Sequence, residues 1–167
     1  MDRHDSISKA VEALLRSEKT LEGRGQWTMQ ENGKARYVRA LSVAGEITDA
    51  RLEIHFYTRE KPPKFNISLL APSRIWALDF DEAHKRTNSL NKPSDIPAIV
   101  TGPHYHSWED NRRFATKVSL PSRLLNARPL PHNIRSYENA LRWFCDKTNI
   151  ILRNEDIVMP PKPDTLL

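Results

Sequence analysis

Apolar residues recur at helical spacing in two stretches of this chain and alternate with polar ones through much of the segment between them. In residues 5–19 (DSISKAVEALLRSEK), Ile7, Ala10, Val11, Leu14 and Leu15 follow the i, i+3, i+4, i+7, i+8 stripe of an amphipathic helix. Asp5 or Ser6 is placed to accept hydrogen bonds from its first free amides, and Gly23 and Gly25 close the region. In residues 136–148 (SYENALRWFCDKT), Tyr137, Ala140, Leu141, Phe144 and Cys145 make a second stripe, with Ser136 as the N-cap.

Between these helices the period falls to two. QWTMQ and ARYVRALSV flank ENGK, and Asn-Gly supplies the positive φ angles of a tight hairpin turn. In RLEIHFYTR, Leu52, Ile54 and Phe56 alternate with Glu53, His55 and Tyr57. KFNISLLA repeats the alternation with Phe65, Ile67 and Leu69, after a turn at Pro62-Pro63. RIWALDF follows Pro72-Ser73 and reads as a short strand buried on both faces. Residues 81–102 lose regularity and predict a long surface loop, a common place for function. HYHSW and RRFATKVSL then predict a hairpin around Glu109, Asp110 and Asn111. His104, His106 and Trp108 would share one face of its first strand, and Phe114, Thr116, Val118 and Leu120 one face of its second. PSRLLNARPLPHN is a proline-punctuated connection, and NIILR is one more short strand. The expected fold is α+β, an antiparallel sheet meander with an N-terminal and a C-terminal helix packed on one face. It forms a single domain over residues 1–159, followed by a flexible tail at 160–167.

Composition narrows the setting. A chain of 167 residues with 38% hydrophobic positions can bury a core of its own. Its single cysteine, Cys145, excludes an internal disulfide and suits a reducing cytoplasm. The first ten residues hold no apolar signal-type core, and no stretch is apolar for the roughly 20 residues of a membrane span. The net charge is +5, and residues 111–153 carry nine Lys or Arg against Glu138 and Asp146. The rest of the chain holds 17 basic and 19 acidic residues, so the whole surplus lies in this C-terminal third. A localised basic surface favours a polyanion, with nucleic acid first.

The chemistry concentrates in TGPHYHSWEDNRRF. A His-x-His pair on a strand puts both imidazoles on one face. Such a pair can ligate one metal ion with a third ligand from His84, Asp79, Asp81 or Glu109. It can equally serve as acid and base, since imidazole titrates near neutrality. RNA carries its own 2′-hydroxyl nucleophile, so His104 and His106 would suffice for proton transfer. Arg86, Arg112 or Arg113 would stabilise the phosphorane, and Tyr105 or Trp108 would stack on a base. In a third reading the pair merely hydrogen-bonds the 81–102 loop to the sheet. Glu109-Asp110 reads as turn chemistry, Asp79 and Asp81 as caps or salt-bridge partners, and Cys145, Trp76 and Trp143 as core. No P-loop, dinucleotide glycine motif, nucleophile elbow or zinc-finger spacing occurs.

The string RIWALDF…HKRTN…GPHYHSW resembles a family of small bacterial and phage-associated proteins. In that family an Arg-containing strand leads to a His-Arg-Asn element, a Gly-Pro-His-hydrophobic-His motif and a C-terminal helix with a Trp/Phe pair. The likeness spans residues 74–152 and rests on His84, Arg86, Asn88, Gly102, Pro103, His104 and His106, with Thr87 intervening between Arg86 and Asn88. It implies a prokaryotic, mobile-element or defence setting of toxin type, and brings no reaction with it.

The expectation is therefore a basic cytoplasmic protein that acts on nucleic acid, RNA favoured, as a metal-independent ribonuclease without cofactor. Its catalytic residues would be His84, His104 and His106. Its nucleic-acid contacts would be Arg86, Tyr105, Trp108, Arg112, Arg113 and Lys117. The alternative is a non-enzymatic module that binds nucleic acid or a protein partner such as an antitoxin, with structural histidines.

Overall fold

The computed structural model describes residues 3–116 and 119–162. The first helix, α1 (Arg3–Arg16), leads into β1 (Lys19–Leu21), β2 (Trp27–Met29), β3 (Lys34–Val43), β4 (Glu46–Tyr57), β5 (Lys64–Leu70) and β6 (Arg74–Phe80). A small ribbon of β7 (Lys85–Thr87) and β8 (Ile99–Thr101) precedes β9 (His104–His106) and a one-turn helix, α2 (Trp108–Asn111). The chain ends with β10 (Arg128–Pro129), α3 (Tyr137–Lys147) and β11 (Ile150–Ile151).

Nine strands form one sheet in the order β10-β9-β6-β5-β4-β3-β1-β11, with β2 also paired to β3. The pairing is antiparallel except between β1 and β11. The fold is thus the expected α+β sheet with terminal helices on one face. The period-two alternation sets the two faces. Leu52, Ile54, Phe65, Ile67, Leu69 and Leu78 are buried together with Val11 of α1 and with Ala140, Leu141 and Phe144 of α3. Ring contacts of Trp76 with Phe144 and Trp143 fix α3 on that face. The opposite face carries the polar half of each strand. Register places Arg36, His55, Asn66, Asp79 and His104 in one row across five strands. The next row holds Val38, Glu53, Ser68, Ala77 and His106.

Several expectations are corrected. RRFATKVSL forms no strand over its described residues. The Ser107 hydroxyl accepts from the Asp110 amide and starts α2, and a 3-10 turn at Arg112–Phe114 follows. Trp108 therefore sits on a helix and shares no strand face with the histidines. The partner of β9 is β10, drawn from the proline-rich connection. The 81–102 loop contains the β7–β8 ribbon, held by Asn88, whose amide donates to the Pro97 and Ala127 carbonyls at 2.7 and 2.9 Å. The first helix begins at Arg3, so Asp5 and Ser6 lie inside it, and Lys19 opens a strand. The hairpin strand β4 starts at Glu46, after a turn in which Ala44 and Gly45 take φ of 51° and 81°. Val118 and residues 163–167 of the tail lie outside the described residues.

Two packing details carry stability. A Cβ on Gly25 would overlap the phenol of Tyr37, which is 2% exposed and whose hydroxyl accepts from Arg39 at 3.0 Å. The ring cannot retreat, so Gly25→Ala is expected to cost about 1–3 kcal/mol, read from the urea unfolding midpoint. Lys19 is fully buried and its ammonium donates to the Leu14 and Ser17 carbonyls, both at 2.6 Å, at the end of α1. Burial pushes it down to about 8, against about 10.4 in an unfolded chain. Between those values the unfolded chain binds more protons, so this group raises stability as pH rises through the window. Urea unfolding at pH 7.5 and pH 10 is expected to show a smaller alkaline gain in Lys19→Met than in the parent.

Candidate functional site

The polar sheet face gathers three side chains into one cluster. Asp79 stands directly across from His104 in the β6–β9 ladder, and His106 lies two residues further on the same face. The Asp79 Oδ2 is 3.5 Å from His104 Nε2 and 3.3 Å from His106 Nε2. One ligand atom from each residue lies within 4.8 Å of the others. Among the described residues this is the single His/Cys/Asp/Glu group that could surround one ion.

The far sides of both rings fix the chemistry of the near sides. His104 Nδ1 meets the Gly102 carbonyl at 2.8 Å, and His106 Nδ1 meets the Asn126 carbonyl at 3.0 Å. A carbonyl only accepts, so each Nδ1 carries a proton and donates it. A neutral imidazole then has its lone pair at Nε2. In the neutral form of both rings the two lone pairs face a carboxylate oxygen, which is also an acceptor. Burial pushes the His104 imidazole down, which favours that neutral form. Burial alone would raise the Asp79 carboxyl, but the hydrogen bond and charge of His106, with His104 and Arg74 nearby, hold it below the usual range. A carboxylate oxygen and two imidazole nitrogens thus converge on one point that suits a positive charge, carried by a proton on a ring or by a cation.

The supports of this cluster are themselves held. Gly102 adopts φ of 82°, which aims its carbonyl back at His104. The Asn126 carbonyl also receives the Asn111 amide at 2.9 Å, and the Asn126 amide group donates to Asp110 O at 3.0 Å. Carbonyl partners on the outer ring nitrogen are what orient metal-ligating histidines. His104 and His106 are only 1% and 4% exposed, whereas the Asp79 side chain is 31% exposed.

A cavity of about 240 Å³ opens beside Asp79, lined by Tyr57, Lys64, Asn66, Asp81 and His84. The Lys64 ammonium lies 3.2 Å from Asp81 and 5.1 Å from the centre of the Tyr57 ring. On the same face the buried Asn66 Oδ1, Ser68 Oγ and His55 Nδ1 have no hydrogen-bond partner among the described residues. His55 engages Glu53 through its other nitrogen at 2.8 Å, and burial pushes its imidazole down.

The predicted site residues divide between two sides of β9. His84 does approach the pair: its ring stacks on His104 at 5.4 Å between centroids. Tyr105 faces the helices and stacks on Trp76 at 5.2 Å. Trp108 and Arg112 line a cleft on that same helical side. Arg86 reaches the Leu124 carbonyl at 3.4 Å, Arg112 pairs with Glu12 at 3.1 Å, and Arg113 donates to the Asn91 carbonyl. Lys117 lies outside the described residues. Asp79 is the residue that sequence reasoning left as one of four candidate third ligands. Its signal was the phase of β6, where Asp79 falls opposite to Trp76, Leu78 and Phe80 and so onto the polar face.

No model of a known protein family matches the chain, and no curated protein or solved structure is similar to it. No helix among the described residues is long and apolar enough to cross a membrane. Function must be read from the site.

Proposed function

We propose that this protein is a metal-dependent hydrolase in which Asp79, His104 and His106 hold one divalent transition-metal ion. The observation that carries the reading is the convergence of both Nε2 atoms on one Asp79 oxygen while both Nδ1 atoms are tied to carbonyls. Two imidazoles and a carboxylate suit zinc, iron(II) or manganese and leave coordination positions open. When bound, such an ion polarises a substrate oxygen and lowers the pKa of a water. The basic chain favours a phosphodiester substrate, with RNA first. The Gly-Pro-His-x-His resemblance supports a phage-defence or toxin–antitoxin setting.

Metal-independent proton transfer by the same histidines fits the geometry less well. Both rings are almost fully buried with one nitrogen held on a carbonyl, which leaves little access for a substrate proton. A non-enzymatic module that binds nucleic acid through this basic third also fits less well. Arg112, Arg128 and Arg142 of the basic third are spent on Glu12, on Asp110 and Asp95, and on Glu138.

The test is metal content. Protein purified without a polyhistidine tag, incubated with Zn²⁺, Mn²⁺ or Fe²⁺ and desalted, is expected to retain about one ion per chain by mass spectrometry. Folded protein that retains none of the three overturns the metal reading. Retained metal without cleavage of a labelled RNA leaves the centre standing and overturns the ribonuclease assignment.

A further inference from the structure

Strand β9 presents Tyr105 to the side opposite His104 and His106. There Tyr105 stacks on Trp76 at 5.2 Å and meets Trp143 edge-on at 4.9 Å. These rings line a cleft of about 520 Å³ between α1, α2 and α3. That volume accommodates a small organic ligand. Trp108 forms part of the wall. It is 2% exposed, and its indole N–H is buried without an acceptor. An indole N–H can only donate, and none of the described residues accepts from it.

The charges at the mouth are unbalanced. Glu12 is paired with Arg112 at 3.1 Å, and Asp110 with Arg128 at 2.7 Å. That leaves Arg16 and Lys147 against Glu109. Among the described residues neither cation makes an ion pair, and the Lys147 ammonium stands 5.8 Å from the centre of the Trp143 ring.

We infer that this cleft binds a planar nitrogen heterocycle carrying a negative charge, the chemistry shared by a free nucleotide and by one nucleotide of a single-stranded nucleic acid. The ring lies against Trp143 and Tyr105, and the phosphate meets Arg16 and Lys147. This site is separate from the Asp79 cluster and does not depend on it.

Calorimetric titration with AMP, UMP and a single-stranded RNA decamer, in EDTA, tests the assignment. At least one of the three is expected to bind saturably at one site. Lys147→Glu, a surface change, is expected to weaken binding about tenfold at low salt. Trp143→Ala removes a stacking face and is expected to weaken it about tenfold or more. Circular dichroism melting establishes that each variant is folded. Binding by mononucleotides assigns a free nucleotide, and binding by the decamer alone assigns a strand. Affinity that persists in Asp79→Ala separates this site from the metal reading. The inference is overturned when none of the three binds, or when the folded variants bind as tightly as the parent.

Discussion

Asp79→Ala is expected to lower metal affinity by more than about a hundredfold, since changes even one shell further out cost about ten- to a hundredfold. With zinc at about 100 times its dissociation constant, the parent gains about 2.7 kcal/mol, or roughly 5–10 °C in melting temperature for a chain of this size. The variant shows no such gain. Its metal-free stability is the sharper readout. If Asp79 merely anchored the histidines, its loss would strand two buried imidazoles and lower the melting temperature. In the neutral, metal-ready form of both rings, its removal takes away an acceptor that faces two others. The metal-free variant is therefore expected to melt at or above the parent's temperature. A drop of several degrees in EDTA, with unchanged zinc binding, would refute the metal centre.

Arg128→Met carries the largest expected loss of stability. The guanidinium grips Asp110 in a fork, Nε to Oδ2 at 2.7 Å and Nη2 to Oδ1 at 2.8 Å. The Asp110 side chain is 4% exposed. Methionine keeps the aliphatic stem and leaves that carboxylate buried and unpaired. Breaking one partner of a buried pair costs about 3–5 kcal/mol, and partial solvent access to Arg128, whose side chain is 27% exposed, places this one near the lower figure. Denaturant unfolding measures it. Adding Asp110→Asn is expected to restore part of the loss, because a neutral amide tolerates burial better. The effect should reach the metal cluster as well. Asp110 O holds Asn126, and Asn126 O holds His106, so zinc affinity is expected to fall in the single variant.

The regular half of this architecture was legible because its residues state their own environment. Leu52, Ile54, Phe65, Ile67 and Leu69 alternate cleanly, and Asn32-Gly33 takes φ of 62° and 71° at the predicted turn. The histidine pair was legible for the same reason, since period two alone puts His104 and His106 on one side. Asp79 was legible only as one of four candidate third ligands, because its partners lie 25 and 27 residues further along the chain and only the β6–β9 register brings them opposite. Strands of two or three residues, such as β7, β8 and β10, are too short to show a period, and their pairing is decided by tertiary context. The α2 turn had a local signal in Ser107-x-x-Asp110, which the apparent alternation of RRFATKVSL outweighed.

The two strands that flank the large sheet both come from the C-terminal part of the chain, at residues 128–129 and 150–151. On the ribosome this imposes a schedule. The meander from β3 to β6 can zip up as it emerges, but β9 stays an open border with unpaired peptide groups until Arg128 and Pro129 arrive. Asn126, which orients His106, arrives with them. The nascent chain thus displays a sticky margin and an unassembled metal cluster for the same interval. One short segment ends both, so maturation of the site and protection from self-association occur in a single step.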